Sequence, residues 1–136
     1  MNANPYLFYN GQCEEAFRFY ADCTGGELLA VMPYADAPPD DAGDPAWKDK
    51  IMHACLRIGD SLLMASDAPP GRQSPMGGFS VSLQIDDPAE AERCFEALSA
   101  GGEVRMPIGE TFWAQRFGMF VDRFGVPWMI NCTKSM

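Results

Sequence analysis

Four side chains that could recognise a small molecule lie close together near the C-terminus. Glu110, Trp113, Gln115 and Arg116 combine a carboxylate, an indole, an amide and a guanidinium. An indole stacks on planar or cationic ligands, and a carboxylate beside it balances a positive charge. The same residues would equally suit a solvated strand edge or a subunit contact, with Glu and Arg paired on the surface. Both interpretations stay open on the residues alone.

His53 is the one histidine of the chain, and histidine is the residue type that most often acts as a general base near neutral pH. In "KIMHACLRIG", alternation along a strand places His53, Cys55 and Arg57 on one face. If that face lines a pocket, His53 is the one candidate base, although the sequence names no partner to orient it. The alternative is an imidazole that is hydrogen-bonded at the sheet surface.

The C-terminal stretch "PWMINC" also alternates. Trp128 and Ile130 fall on one face of a predicted strand, and Met129 and Asn131 fall on the other. We expect Trp128 to pack in the core under a helix. The amide of Asn131 offers donors and an acceptor to the opposite side.

The elements that position these residues begin with a strand at residues 5–9. A helix follows, because apolar residues recur at helical spacing and Gly25-Gly26 supplies the left-handed stop. Strands are predicted at 27–34, 50–59 and 60–67, the last two joined as a hairpin at Gly59-Asp60. Residues 35–47 predict a long loop whose role the sequence leaves open. The helical stripe consists of Cys13, Ala16, Phe17, Tyr20 and Ala21.

The second half repeats this order after a linker at residues 68–77. A strand in "FSVSLQID" precedes a helix with Asp87 at the N-cap, Pro88 at the first position and Glu90 as the partner in a capping box. The strands "EVRMP", "FGMFVD" and "PWMINC" follow. The apolar stripe of this helix consists of Ala91, Cys94, Phe95 and Leu98.

The two halves match in sequence as well as in order. Phe19, Gly25, Gly26 and Glu27 correspond to Phe95, Gly101, Gly102 and Glu103 at one constant interval. We therefore predict an α+β fold of two tandem βαβββ modules, at 5–67 and 78–132, within one domain of residues 1–136. Side by side they would form a cup-shaped mixed sheet with a ligand cavity on its concave side. A second chain would cover the sheet edges, so we expect a homodimer.

Composition excludes several classes of protein. The net charge of −9 argues against nucleic-acid binding, which needs a basic face. No apolar run is long enough for a membrane span, and the N-terminus "MNANPYLFYNG" lacks the pattern of a secretion signal, so we expect a cytoplasmic protein. Five cysteines without a CxxC pair predict reduced, buried thiols.

The segments "PYLFYNGQCEEAFRFY", "HACLRIGDSLLMASD" and "ETFWAQRFGMFVDRFGVPWMIN" resemble the PhnB-like branch of the vicinal oxygen chelate superfamily, which includes glyoxalase I, extradiol dioxygenases and bleomycin-resistance proteins. The resemblance runs from about Pro5 to Lys134. It implies the metal-ligand positions of the superfamily near Pro5 or Tyr6, Met64, Ser80 and Met129, with Ser66 or Asp67, Ser82 and Asn131 as neighbours. These residues are poor ligands for a divalent cation, so the resemblance implies a lost metal site.

The leading functional prediction is a protein that binds a small, partly aromatic or cationic molecule without a metal or cofactor. Methyltransferase chemistry is not supported, because no Gly-rich loop follows a strand and opens a helix, and the few scattered cations do not suit a phosphonate site. One alternative is a lyase or dioxygenase-type enzyme with a metal site rebuilt around His53 and either Glu110 or Asp67. Another is a structural or regulatory dimer. The predicted ligand-binding residues are Tyr6, Phe8, His53, Met64, Ser80, Glu110, Trp113, Gln115, Met129 and Asn131.

Overall fold

The computed structural model describes residues 1–38 and 43–134, and the chain forms two compact units, Met1–Pro75 (unit 1) and Met76–Met136 (unit 2). Within the described residues, each unit contains one α-helix and one four-stranded sheet. The predicted α+β fold of two tandem βαβββ modules is therefore confirmed. None of the helices in these residues is long and apolar enough to span a bilayer.

Unit 1 consists of β1 (Tyr6–Tyr9), α1 (Cys13–Thr24), β2 (Glu27–Pro33), β3 (Ile51–Ile58) and β4 (Ser61–Asp67). The strand order is β1-β4-β3-β2, with β1 parallel to β4 and the other neighbours antiparallel. The predicted hairpin joins β3 to β4 through a glycine whose φ is +57°. A left-handed conformation of this kind suits a tight turn and favours glycine there.

Unit 2 consists of β5 (Val81–Gln84), α2 (Pro88–Ser99), β6 (Glu103–Gly109), β7 (Ala114–Val121) and β8 (Pro127–Thr133). Its strand order, β5-β8-β7-β6, repeats that of unit 1 element for element. The first strand is again parallel to the last, and the hairpin neighbours are antiparallel. The internal repeat read from the sequence is thus a repeat of topology.

Helix α1 buries the stripe that its spacing predicts, with two differences. Cys13, Ala16, Phe17 and Tyr20 are fully buried. Ala21 is only half-buried, and Cys23, which lies farther round the helix, is buried in its place. The helix ends where Gly25 adopts a left-handed φ of 75° and its N–H bonds to the carbonyl of Ala21, as expected for a glycine stop.

Helix α2 buries its predicted stripe, but the predicted capping box does not form. Asp87 occupies the N-cap and Pro88 the first turn, yet the Asp87 side chain makes no cap hydrogen bond. Glu90 instead accepts hydrogen bonds from the guanidinium of Arg93, one turn along. A charge-assisted pair on the helix surface has replaced the reciprocal cap.

Each sheet has one face covered by its helix and one that the helix does not cover, which we call the helix-free face. In unit 2, alternation directs Trp128 and Ile130, both fully buried, to the helix side and Met129 and Asn131 to the helix-free face. The predicted core role of Trp128 is therefore confirmed. Gly118 lets the helix approach closely, because a Cβ there would lie 2.6 Å from the ring of Phe95.

The loop predicted at 35–47 is partly ordered by short 3-10 turns at Tyr34–Asp36 and Pro45–Trp47. The N–H of Tyr34 bonds to the carbonyl of Lys50, and the N–H of Ala35 bonds to that of Lys48, so the loop is tied together at its base. Two acidic residues of the loop, Asp40 and Asp41, lie outside the described residues.

Candidate functional site

Unit 1 brings its four predicted site residues onto one helix-free face. Tyr6 and Phe8 alternate along β1, and Tyr6 lies opposite Met64 on β4. The Tyr6 ring centroid is 5.1 Å from that of Phe8 and 5.8 Å from that of His53. Tyr6 and Phe8 are exposed, at 38% and 54%. The result is an aromatic surface with one imidazole in it.

His53 has a hydrogen-bond partner that the sequence did not name. The Tyr6 hydroxyl lies 3.2 Å from Nδ1 of His53, and which of the two donates depends on the imidazole tautomer. In known triads the base is oriented by a carboxylate or amide that stabilises its charged form. A phenol offers weaker support to an imidazolium, so this pair suits ligand contact better than proton abstraction.

The buried carboxylate of Asp67 is fully committed to the backbone. Its Oδ1 accepts hydrogen bonds from the N–H groups of Gly11 and Cys13, and its Oδ2 accepts one from the N–H of Ile51, all within 2.9 Å. Asp67, at the end of β4, thereby caps the N-terminus of α1. The N-cap residue Gln12 makes no side-chain cap hydrogen bond there. The alternative in which Asp67 joins His53 in a rebuilt metal site is not supported by this geometry.

In unit 2 the helix-free face carries a band of neutral polar groups. Ser82 lies opposite Met129 and Gln84 opposite Asn131, in register. The Asn131 amide donates to Oε1 of Gln84 at 2.7 Å and to the Thr133 hydroxyl at 3.3 Å. Its own Oδ1 is buried and accepts no hydrogen bond from the described residues. The predicted amide is thus present on this face, but its donor side is already occupied.

A pocket of about 320 Å³ opens on the same unit, where β8 begins. Ser80, a predicted site residue, lies just before β5 and lines it together with Arg105 of β6. The rest of the lining consists of three glycines, Gly77, Gly78 and Gly125, and six apolar residues, Met76, Met119, Phe120, Val121, Pro127 and Trp128. Of the predicted ligand-binding residues, only Ser80 is among the described residues that line this pocket.

Arg105 reaches the pocket because β6 carries a bulge. The register of β6 on β7 pairs Val104 with Phe120 and Met106 with Met119, so Arg105 is the extra residue between two consecutive partners. Bulges re-aim side chains and break strict alternation. Sequence reasoning missed Arg105 for this reason, and it missed Gly77 and Gly78 because the linker composition predicted only a spacer. The run Gly-Gly just before β5 was the available signal, since two residues without side chains leave the backbone and the space beside it open.

The segment "ETFW" forms a turn between β6 and β7 rather than part of a strand. The N–H of Thr111 bonds to the carbonyl of Ala114, whose own N–H bonds to the Thr111 hydroxyl. The turn exposes Phe112 at 89% and Trp113 at 44%, and Trp113 packs edge-on against Phe117 at 5.3 Å.

The polar residues around this turn are engaged at the surface. Glu110 pairs with Lys134 at 3.6 Å, and both side chains are exposed. The Gln115 amide donates to the carbonyl of Thr133. Arg116 pairs with Glu92 on α2, and this hydrogen bond raises the pKa of Arg116 above its usual value. The expected surface pair of Glu110 with Arg116 does not form, because each side chain pairs with another residue. Glu110, Trp113 and Gln115 are not among the residues that line the pocket.

The donors on these faces do not suit a divalent metal ion. Across residues 1–38 and 43–134, no cluster of three or more His, Cys, Asp or Glu side chains could hold one. The superfamily positions near Tyr6, Met64, Ser80 and Met129 offer phenol, thioether and hydroxyl groups, which bind Zn²⁺ or Mn²⁺ poorly. All five cysteines are free thiols and are buried, as predicted, rather than placed as ligands.

Comparisons with known proteins find matches that cover nearly the whole chain. The sequence model of the Glyoxalase/Bleomycin resistance protein/Dioxygenase superfamily matches residues 3–130. Protein YjdN of Escherichia coli K12 is 38% identical over 144 residues, covering 99% of this chain and 97% of the relative. The crystal structure of PA1353 from Pseudomonas aeruginosa is 51% identical, covers 99% of both chains and has a TM-score of 0.91. A Bacillus cereus PhnB protein, described as a putative 3-demethylubiquinone-9 3-methyltransferase, shares the fold at 21% identity, covering 98% of this chain and 100% of that one with a TM-score of 0.80.

Proposed function

Because the chain belongs to the Glyoxalase/Bleomycin resistance protein/Dioxygenase superfamily, we propose that it binds a small organic molecule in the pocket of unit 2 without a metal ion. The observation that carries this proposal is the pocket of about 320 Å³. Its volume falls at the lower end of the range for ligand sites, and its lining combines a hydroxyl, a guanidinium and glycine backbone with apolar side chains.

The hydrogen bonds of the two buried aspartates favour binding over catalysis. The fully buried Asp67 and Asp122 both accept several hydrogen bonds from within the protein. Asp67 holds backbone N–H groups, and Asp122 holds backbone N–H groups and the indole N–H of Trp128. The pocket itself is lined by Ser80 and Arg105 without a general base among the described residues that line it. This lining can orient a ligand, but it offers no proton acceptor.

The methyltransferase description of the Bacillus cereus protein does not extend to this chain. At 21% identity the two proteins share a fold and no more. A methyltransferase of the usual kind would also need a Gly-rich loop between a strand and a helix to hold its cofactor. The loops before α1 and α2 are short and contain no such Gly-rich sequence.

A ligand screen by two-dimensional NMR tests the proposal. Compounds that bind should shift the backbone amides of Gly77, Gly78 and Gly125, which border the pocket. A Met119→Trp variant should abolish these shifts, because the larger side chain fills the space above β7. Leu29→Trp is the matched control, because Leu29 is an exposed apolar residue on β2 of unit 1 and does not line the pocket. Its binding should be unchanged.

Metal independence needs a separate measurement. Binding of the same compound should survive dialysis against a chelator, since no donor cluster in the described residues suits a metal. Loss of binding after chelation, with recovery on adding one divalent ion per chain, would overturn that part of the proposal. Equal binding by the Met119→Trp variant would overturn the assignment of the pocket.

A further inference from the structure

The charged side chain that lines the pocket of unit 2 is positive, whereas the chain as a whole is negative. The sequence holds 19 acidic and 10 basic residues. Yet the described residues that line the pocket include one charged side chain, Arg105, and no carboxylate. A site that selected a cation would show the reverse pattern, so the cationic ligand expected from Glu110 and Trp113 does not fit this pocket.

We infer that the pocket takes the carboxylate of a small apolar acid, with the head group on Arg105 and the hydrocarbon part against Met119, Val121 and Pro127. This inference rests on the proposed function, since it names the ligand class of the same pocket. A guanidinium presents two parallel N–H donors that match the two oxygens of a carboxylate. The Ser80 hydroxyl supplies a further donor in the same lining.

Arg105 is available for such a pair because its internal partner is weak. The Nε of Arg105 lies 3.4 Å from Oε1 of Glu103, and the two side chains are 58% and 70% exposed. An ion pair so exposed contributes little to stability. Within residues 1–38 and 43–134, this is the one ion pair formed by Arg105, and it leaves the Nη side of the fork for a ligand.

The geometry favours a single negative charge over two. A carboxylate ligand on Arg105 brings one negative charge next to Glu103, while a phosphate or phosphonate dianion would bring two. Such dianions usually need several cationic or backbone donors converging on their oxygens. The glycines at the wall leave space for the ligand, because a Cβ at Gly77, Gly78 or Gly125 would meet nothing within 4 Å.

The test compares hexanoate with two isosteres of the same length, neutral hexanamide and cationic hexylammonium. Dissociation constants come from NMR titrations that follow the amides of Gly77 and Gly125. Hexanoate should bind most tightly. Arg105→Met should weaken hexanoate binding by about two- to fivefold, the loss typical of one solvent-exposed ion pair, and should leave hexanamide unchanged.

Two further variants sharpen the result. Arg72→Met removes the same charge from an exposed position in unit 1 that does not line the pocket, so it should bind hexanoate as the parent does. Glu103→Gln removes the competing carboxylate and should tighten hexanoate binding by about two- to fivefold. Equal loss of binding in Arg72→Met and Arg105→Met would mean that net charge alone attracts the acid, which overturns the role of Arg105.

The outcomes separate the inference from the proposed function. If hexanamide binds as tightly as hexanoate, and Arg105→Met changes neither, the pocket binds small molecules but the carboxylate assignment is wrong. Preference for hexylammonium would overturn the assignment in the same way. If no compound of any charge shifts the pocket amides, the proposed function fails together with the inference.

Discussion

Removing the Asp67 carboxylate should destabilise the protein far more than removing any exposed acid. In Asp67→Ala, the N–H groups of Cys13 and Ile51 stay buried but lose their acceptor, and the N–H of Gly11 loses its partner as well. A buried donor left without an acceptor costs about 1–3 kcal/mol. Two such groups and the lost helix cap together give about 3–5 kcal/mol, and a fall in Tm of about 10–15 °C.

The isosteric variant Asp67→Asn should lose only part of this stability, because it can keep some of the hydrogen bonds of Asp67. Its carbonyl oxygen can keep the bonds to Gly11 and Cys13, but its amide NH₂ would then face the N–H of Ile51 and repel it. We expect a loss of about 2 kcal/mol for this one unpaired buried donor. Asp67→Ala should therefore be the more severe variant of the two.

Urea denaturation followed by circular dichroism measures these losses, with Asp22→Ala as the matched control. Asp22 is an exposed acid on α1, so its removal should change the unfolding free energy by less than about 0.5 kcal/mol. The slope of the unfolding transition should stay constant across the series. If Asp67→Ala is no less stable than Asp22→Ala, the carboxylate does not organise the backbone as described.

Three other predictions concern a carboxyl group, a thiol and the oligomeric state. Hydrogen bonds from Arg93 lower the pKa of Glu90. The stability that they contribute is present above the ordinary pKa of Glu and is lost as pH falls through the lowered pKa of Glu90 in the folded protein. In a carbon-13 NMR titration, Arg93→Gln should raise the pKa of Glu90. Burial, with the charges of Asp67 and Glu14, raises the pKa of Cys13, so this thiol should react with a disulfide reagent only as fast as the protein unfolds, and rapid reaction of native Cys13 would contradict its burial. Light scattering should find the expected homodimer, and Phe112→Ser should weaken it because Phe112 is 89% exposed; a monomer at every concentration would refute the pairing.

Much of the fold could be predicted because its signals are local. The stripe of Ala91, Cys94 and Phe95 repeats at helical spacing, and burial follows it. The order of elements then repeats along the chain, which identifies two modules before any contact is known. In the same way, alternation alone separates buried Trp128 from half-buried Met129.

The rest could not be predicted because it depends on distant or irregular contacts. Asp67 meets Gly11 and Cys13, which are 56 and 54 residues away along the chain. The residues around Asp87 match a capping box in sequence, but the Asp87 side chain makes no cap hydrogen bond. The carboxylate of Glu90 accepts a hydrogen bond from nearby Arg93 instead. The placement of Arg105 follows from a bulge, which no period-two pattern contains.

The two modules keep one topology but give their helix-free faces different chemistry. In unit 1 that face carries Tyr6, Phe8 and His53, so it offers aromatic contact and an imidazole. Unit 2 instead carries amides and hydroxyls, and a pocket with a single guanidinium. The buried carboxylates of Asp67 and Asp122 lie on neither of these surfaces and instead accept hydrogen bonds from backbone N–H groups at a helix start and a turn. Under the proposed function, the Ser80 hydroxyl and the Arg105 guanidinium at the pocket would donate hydrogen bonds to an acceptor-bearing ligand.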